Sequence, residues 1–369
     1  MAQEQSALNL PGIAVDRSVS DRPKAIRMTL NTLRFLRTKP LGAIGLVLIV
    51  LPVAAAALAG QVSRYDPNTE FYTPNKEFRA DLFELSLSDP LMKIKHLLPD
   101  GSIVSASEAQ GVPGAVSLAA HPEYFTKGQI AVQNAPSSGK HWLGTDGFSH
   151  DLYSRIIYGA RLSLLVGIGG AIIACFFGTV FGVVSGYFGG WVDMLIQRVT
   201  DAFFAFPSLI LLLLFVQVVE KPTKYHITLA LGIVGISQVV RIVRSSVLAA
   251  REEVYVSAAR TIGASDVRIM ARHILPNILA PLIVVFTISI GAYILAEAGL
   301  QFIGLGDPTE ISWGKMVNEG RGLGASKPLM ALWTGLAITV TVLGFNLFGD
   351  ALRDALDPRL RGRGARAGF

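Results

Sequence analysis

Six long apolar runs, separated by charged segments, constrain this chain more than any other feature of its sequence. A helix that crosses a bilayer needs about 20 predominantly apolar residues, and it satisfies its own backbone hydrogen bonds in lipid. Runs of about this length cover residues 41–60, 162–184, 202–219, 227–247, 278–300 and 329–348. The sequence therefore predicts an all-α membrane protein with six transmembrane helices.

The composition supports a membrane location. Of the 369 residues, 51% are hydrophobic and 16% are charged, whereas a soluble domain usually carries about 25% charged residues. The net charge of +6 does not predict a nucleic-acid partner. The basic residues cluster beside the apolar runs, where the positive-inside rule places them next to membrane lipid. The single cysteine, Cys175, lies inside an apolar run and excludes an intrachain disulfide.

The first apolar run has two interpretations. Ala57-Leu58-Ala59 has the small-residue pattern of a signal cleavage site. A secretory signal, however, has a short charged region and an apolar core of roughly 7–15 residues, whereas about forty residues precede a core of about twenty here. We therefore expect a retained span.

The runs divide the chain into segments of different character. The hydrophilic stretch between the first two spans has mixed charge and several prolines, and Ser102 to Ser105 alternate as in a strand. The first predicted part is a cytoplasmic N-terminal segment at 1–40, with a basic interfacial helix from 22 onward. The first span at 41–60 and an exported insertion at 61–157 follow it. The remaining parts are a five-helix core at 158–352, which includes a loop at 248–277, and a basic cytoplasmic tail at 353–369.

The distribution of basic residues predicts the orientation. Six spans place both termini on one side, together with the short link at 185–201 and the loop at 248–277, which carries several arginines. The short opposite loop at 220–226 has only two lysines and no arginine, and the long stretch at 61–157 is exempt from the positive-inside rule. We expect both termini in the cytoplasm.

The loop at 248–277 predicts two short helices. Residues 252–262 place Tyr255, Ala258, Ala259 and Ile262 on one helical face, and Gly263 supplies a stop. The second helix begins with Ser265 as a candidate N-cap and with Asp266 at the positive helix end.

The second helix of the loop has an apolar stripe formed by Val267, Met270, Ala271 and Ile274, and Pro276 is expected to end it. Small residues on the first helix permit close approach of another protein. The same pattern also fits two helices that pack on their own membrane domain, or a basic patch against anionic lipid. The residues alone leave these alternatives open.

Two motifs in this loop resemble a known family. The segment 257–263, Ser-Ala-Ala-x3-Gly, and the segment 273–276, His-Ile-Leu-Pro, resemble the EAA loop of binding-protein-dependent ABC importer permeases. Ser257 stands where the family usually has Glu, and His273 stands where it usually has Ile, as in its peptide branch. The resemblance implies that residues of this loop couple the chain to the ATPase. These residues are Ser257, Ala258, Ala259, Gly263, Ala264, Ser265, Asp266, His273 and Pro276.

Further motifs extend the resemblance over about 141–359. They are HWLGTD at 141–146, IYGARLSL at 157–164, FFAFPSLIL at 203–211, FIGLG at 302–306 with SWG at 312–314, and GDALRDALDP at 349–358. Together they resemble the second, C-type, permease of dipeptide and oligopeptide importers. That family implies the MetI-like arrangement of transmembrane helices in the bacterial inner membrane.

The resemblance also implies partners and a solute class. A second permease chain would form a heterodimer with this one, and two cytoplasmic ATPase subunits would hold ATP and Mg²⁺, with no cofactor on this chain. A periplasmic or secreted binding protein would deliver peptides or related small solutes. Nickel, opines and sugars use similar permeases and remain alternative solutes.

Several residues within the spans have candidate roles. Gly178, Gly182 and Gly186 repeat every fourth position and predict a flat face for helix packing, within this chain or between subunits. Glu297 lies near the outer end of the fifth span, as a path residue or as a hydrogen-bonded structural acid. Phe206 and Pro207 belong to the family motif at 203–211 and are candidate path residues.

The motifs that are missing limit the other functions. No G-x4-G-K-[ST] loop occurs, so an ATPase would be a separate chain. His121, His141 and His150 lack the spacing of a metal site, and no protease motif lies on the spans. A secondary transporter or channel is the main alternative to the permease, and an intramembrane enzyme is a weaker one.

Overall fold

The computed structural model describes residues 39–74, 94–99, 102–120, 129–322 and 328–356, together with single positions between 79 and 91. Most of the predicted interfacial helix at 22–40, most of the basic tail at 353–369 and His121 lie outside the described residues.

Helices form most of the described chain. In order they are α1 (Pro40–Ala57), α2 (Ala59–Val62), α3 (Leu152–Phe188), α4 (Gly190–Phe204), α5 (Ser208–Gln217), α6 (Lys224–Arg251), α7 (Val254–Thr261), α8 (Asp266–Ile269), α9 (Leu275–Phe302), α10 (Trp313–Gly322) and α11 (Pro328–Leu356). A π turn, Met270–Ile274, joins α8 and α9 into one helix. Among the described residues α1, α3, α6, this joined helix and α11 are long and apolar enough to cross a membrane.

The predicted third span at 202–219 is wrong as a single helix. The axes of α4 and α5 meet at 87° around Pro207, whose ring and missing amide hydrogen interrupt a helix. The ten residues of α5 rise only about 15 Å, roughly half a bilayer. The stretch at 185–201, predicted as a short link, is also mostly helical. Helix α3 continues to Phe188, and α4 begins at Gly190. The described residues thus hold five spans, or six if the bent pair counts as one.

Helix α3 is longer than the span predicted for it. It begins at Leu152, before the expected boundary at 158, and Asp151 caps it by accepting a hydrogen bond from the amide of Ser154 at 2.9 Å. Its 37 residues extend about 55 Å, whereas the hydrocarbon core of a bilayer is about 30 Å thick. Part of α3 therefore extends beyond the hydrocarbon core of a bilayer.

The described residues of the insertion form two small antiparallel sheets. The smaller sheet pairs β1 (Tyr72–Pro74) with β5 (Gln129–Ala131). The larger sheet consists of β2 (His96–Leu97), β3 (Ile103–Val104) and β4 (Val116–Ser117), in the order β3-β2-β4. The strand expected at 102–105 is confirmed as β3. Leu82 and Leu118 are buried beside the larger sheet and form a small separate core.

The long helices pack around α3. Helix α6 lies along it, α9 contacts α3 and α11, and α1 packs on α11. We call the end of this bundle that carries the described residues of the segment 61–151 the insertion end, and the end that carries residues 248–277 the loop end. An ion pair of 2.9 Å between Lys39 and Asp354 joins the start of α1 to the last turns of α11 at the loop end.

Candidate functional site

The loop at 248–277 divides the apolar residues of α7 between two faces. Val256 and Ala259 are 0% and 4% exposed and belong to a core cluster with residues of α3, α6 and α9. Ala258 faces outward, and Val254 and Ile262 are 81% and 84% exposed. The structure thus separates Ala259 from the residues that were expected to share its face.

Val254, Ala258 and Ile262 lie four residues apart and form one exposed stripe, which we call the α7 patch. Val267 continues the apolar surface into α8 and is 71% exposed. Apolar residues exposed together at one end of a helical domain indicate a contact with another protein or with membrane. The sequence offered the spacing of the α7 patch but did not show which side of α7 faces inward.

A left-handed glycine turns the chain between the two loop helices. Gly263 has a φ of +79°, which glycine adopts without strain and other residues adopt rarely. The amide of Ala264 donates to the carbonyl of Ala259 at 3.1 Å and closes the end of α7. Ser265 occupies the N-cap position of α8, but the predicted side-chain cap is wrong, because its hydroxyl makes no capping hydrogen bond.

The expected helix end at Pro276 is also wrong. The chain passes from α8 through the π turn into α9 without a break, and Pro276 lies in the first turn of α9. A proline is tolerated there because the wider π turn changes the carbonyl pairing that its ring would obstruct. His273 lies in the π turn, and its carbonyl accepts a hydrogen bond from the Asn277 side chain at 2.6 Å.

The glycine face of α3 lies directly against α6. A Cβ atom built at Gly178, Gly182 or Gly186 would lie 2.5, 2.7 or 2.8 Å from the Cβ of the facing valine. The facing residues are Val239, Val243 and Val247. The flat face thus serves packing within this chain, which is the first of the two alternatives from the sequence.

The break between α4 and α5 borders a cavity of about 500 Å³. Phe206 lines it and is 57% exposed. Gln238, Ser208 and Tyr293 bring polar atoms to walls that are otherwise mostly apolar. Gln238 lies halfway along α6, so the cavity and the break lie near the middle of the spanning helices.

Glu297 lies apart from this cavity. It is fully buried and accepts hydrogen bonds of 3.0 Å from the hydroxyls of Ser163 in α3 and Ser312 before α10. These contacts favour the structural alternative for this acid, because it joins two elements near the insertion end. A role in the translocation path stays a prediction.

A buried cluster of charged side chains at the insertion end was missed by sequence reasoning. Asp146 accepts from His150 Nδ1 at 3.0 Å and from the Arg155 guanidinium. Arg155 in α3 also faces Glu319 in α10 at 3.8 Å. The spacing of four residues between Asp146 and His150 could have suggested that pair. Glu319, however, is distant in the chain, and no local pattern links it to the other residues.

Burial raises the pKa of the Glu319 carboxyl above its ordinary value, and the nearby Arg155 opposes this shift only in part. Below about pH 4.3 the carboxyl is protonated in the folded and the unfolded chain alike. As the pH rises, the unfolded chain releases its proton first, so the folded state loses stability. We expect Glu319→Gln to raise the apparent Tm in detergent, with a difference that grows from about pH 4 to neutral pH.

Glu108 is a control of opposite sign. Hydrogen bonds from the amide and hydroxyl of Ser105 lower the pKa of its carboxyl, so that Glu108→Gln should lose stability relative to the natural chain as the pH rises. A Tm difference for Glu319→Gln that stays constant across this range would contradict the prediction.

The spanning helices, the helix broken beside a cavity and the exposed apolar patch on a helical loop define a polytopic membrane protein with a helical contact surface at one end. A family model for binding-protein-dependent transport system inner membrane components matches residues 178–362. The chain belongs to this family.

Several named relatives agree with the family match. A dipeptide transport system permease protein of Alkalihalophilus pseudofirmus is 45% identical over 61% of this chain and 74% of its own length. A glutathione transport system permease protein of Pectobacterium atrosepticum is 40% identical over 62% and 76%. A putative peptide transport system permease protein of Brucella suis is 44% identical over 64% and 79%.

Family membership confirms the predicted class and function. The chain is a multi-pass inner-membrane permease subunit of an ABC importer, and it works with ATPase subunits and a solute-binding protein. It is not itself an enzyme, since ATP hydrolysis belongs to a separate subunit. A self-contained secondary transporter, a channel and an intramembrane enzyme are thereby excluded.

Proposed function

We propose that this chain forms half of the translocation path for peptides or related small solutes and is driven through its α7 patch. The observation that carries the proposal is the exposure of Val254, Ala258 and Ile262 on a loop whose opposite face is buried in the membrane domain. Exposed apolar patches mark contacts with other proteins, and we assign this one to the ATPase. The names of the relatives support a peptide solute.

The proposed orientation places the loop end in the cytoplasm. Arg251, Arg260, Arg268 and Arg272 lie at this end, as the positive-inside rule requires of a cytoplasmic surface. The N-terminal end of α1 and the C-terminal end of α11 both lie there, because Lys39 pairs with Asp354. The insertion end then faces the binding protein.

The proposed path runs past the break between α4 and α5. Backbone that is not helical is tolerated at membrane depth only where protein covers it or where it lines a water-filled cavity. Phe206 and Ser208 are exposed at this break in the single chain. A second permease chain that faces Phe206 and Pro207 would enclose a path between the two subunits.

The proposed cycle is alternating access. ATP and Mg²⁺ bind to two ATPase subunits and close them, the loop at 248–277 moves with them, and the spans open toward the insertion end. The binding protein delivers its solute to the cavity beside the break. Hydrolysis then resets the loop and opens the cavity to the cytoplasm.

Reconstitution tests this function. Proteoliposomes should contain this chain, its partner permease and the two ATPases, and the binding protein should be added outside. Uptake of a labelled dipeptide should require ATP and the binding protein. Uptake of labelled nickel or a sugar in place of the dipeptide would overturn the proposed solute class, and uptake by this chain alone would overturn the coupled mechanism.

The path at the break gives a separate prediction. In a Cys175→Ser background, Ser208→Cys should react with a membrane-impermeant maleimide in the assembled complex, because thiolates form in water and not in lipid. The control is Leu336→Cys, on a side chain 47% exposed on the apolar helix α11, which should not react. Equal protection of both positions in nucleotide-free and ATP-bound complexes would contradict a water-lined path at Ser208.

A further inference from the structure

The last turn of α3 contacts the loop near its beginning and near its middle. At the beginning of the loop, Arg251 Nη1 donates to the carbonyl of Gly186 at 3.0 Å. At the start of α8, the Tyr187 hydroxyl donates to Asp266 Oδ1 at 2.6 Å. Between these points, the guanidinium carbon of Arg260 in α7 lies 5.4 Å from the centroid of the Tyr187 ring.

Tyr187 joins the apolar and the polar parts of this contact. It is 6% exposed and belongs to the same core cluster as Val256 and Ala259 of α7 and Ile269 of α8. Its ring therefore packs among the inward side chains of the loop, while its hydroxyl reaches the first residue of α8. A hydrogen bond to a charged acceptor holds its partners more firmly than one between neutral groups.

We propose that Tyr187 is a positioning residue that fixes the loop at 248–277 on the end of α3 and passes movement of the loop into that helix. The proposal rests on the docking proposed for the α7 patch, because the ATPase supplies the movement. Helix α3 continues without interruption from Tyr187 to Leu152, so a displacement at the loop end reaches the insertion end. Without the hydroxyl contact, α8 can move while α3 stays in place.

The test compares variants on both sides of this hydrogen bond in the reconstituted complex. Tyr187→Phe removes the donor, Asp266→Ala removes the acceptor, and Asp266→Asn keeps a carbonyl oxygen at the same place. The measured quantity is the amount of labelled dipeptide taken up per ATP hydrolysed. We expect Tyr187→Phe and Asp266→Ala each to lower it by about fivefold or more, in the range of typical coupling between sites.

The double variant and the conservative variant separate positioning from general damage. Tyr187→Phe combined with Asp266→Ala should be no worse than the more affected single variant, because both changes remove one interaction. Asp266→Asn should recover most of the uptake per ATP. Tyr225→Phe, on a side chain 66% exposed at the insertion end, should behave as the natural chain.

Each outcome decides the proposal. Normal uptake per ATP in Tyr187→Phe, or effects that multiply in the double variant, would overturn it. Loss of ATPase co-purification by Tyr187→Phe would also overturn it, since the residue would then belong to docking. If Tyr187→Phe fails to accumulate in the membrane, Asp266→Ala and its rescue by Asn decide alone.

The docking itself is tested by Ile262→Glu. If that variant keeps the ATPase, the proposed function has failed at the α7 patch, independently of Tyr187. If it loses the ATPase while Tyr187→Phe transports normally, only the positioning role has failed.

Discussion

Ile262→Glu is expected to remain in the membrane and to lose co-purification with the ATPase subunits. Ile262 is 84% exposed at the end of α7, so a carboxylate there meets water in the free chain and disturbs no internal contact. In a docked complex the same carboxylate would be buried unpaired, at a cost of about 3 kcal/mol or more. That cost corresponds to a loss of affinity of about 100-fold or more.

The matched control is Val112→Glu, which introduces the same charge on an exposed apolar residue of the insertion. It should keep the ATPase at the level of the natural chain. Ala259→Arg would not test docking, because Ala259 is 4% exposed and packs inward. That change would disturb the loop itself. Retention of the ATPase by Ile262→Glu would refute docking through the α7 patch.

Gly182→Leu is expected to prevent accumulation of the folded chain in the membrane. A Cβ atom at this position would already lie 2.7 Å from the Cβ of Val243 and 2.9 Å from the carbonyl oxygen of Val240. Backbone and a β-branched side chain cannot move aside locally, so α3 and α6 must separate. Overpacking by a few methylenes typically costs about 1–3 kcal/mol, and separating the central helix pair adds to this.

Gly335→Leu is the control for this substitution. A Cβ atom at Gly335 in α11 would meet nothing within 4 Å, so the side chain has room and the helix gains a residue of better helix propensity. Fluorescence-detected size-exclusion chromatography of the two variants measures the amount of folded chain. Equal, normal peaks for both would contradict the packing of α3 on α6 through Gly182.

Local patterns in the sequence predicted much of the candidate site. The apolar runs located four of the six spans as continuous helices crossing the domain, together with the joined helix that contains the fifth. The Ser257-to-Gly263 motif located the loop, because its helix and its left-handed glycine are specified by neighbouring residues. The four-residue repeat at Gly178 and Gly182 indicated a packing face.

Contacts between distant segments could not be predicted in the same way. The bend at Pro207 was hidden inside an apolar run of sufficient length, because hydropathy counts residues and takes no account of helix direction. The partners Arg155 and Glu319, and likewise Tyr187 and Asp266, are far apart in the chain. Only packing brings them together.

The sequence by itself determined the long helices of this protein and the position of the loop at 248–277, and the resemblance of its motifs determined the class. The helices and the loop follow from the length of apolar runs and from residue types at short spacing, which act through local physics. The tertiary structure decided which side of α7 remains exposed, that the glycine face meets α6, and that Tyr187 reaches Asp266. A periodic pattern shows which residues share a face, but only the packed helices determine what that face contacts.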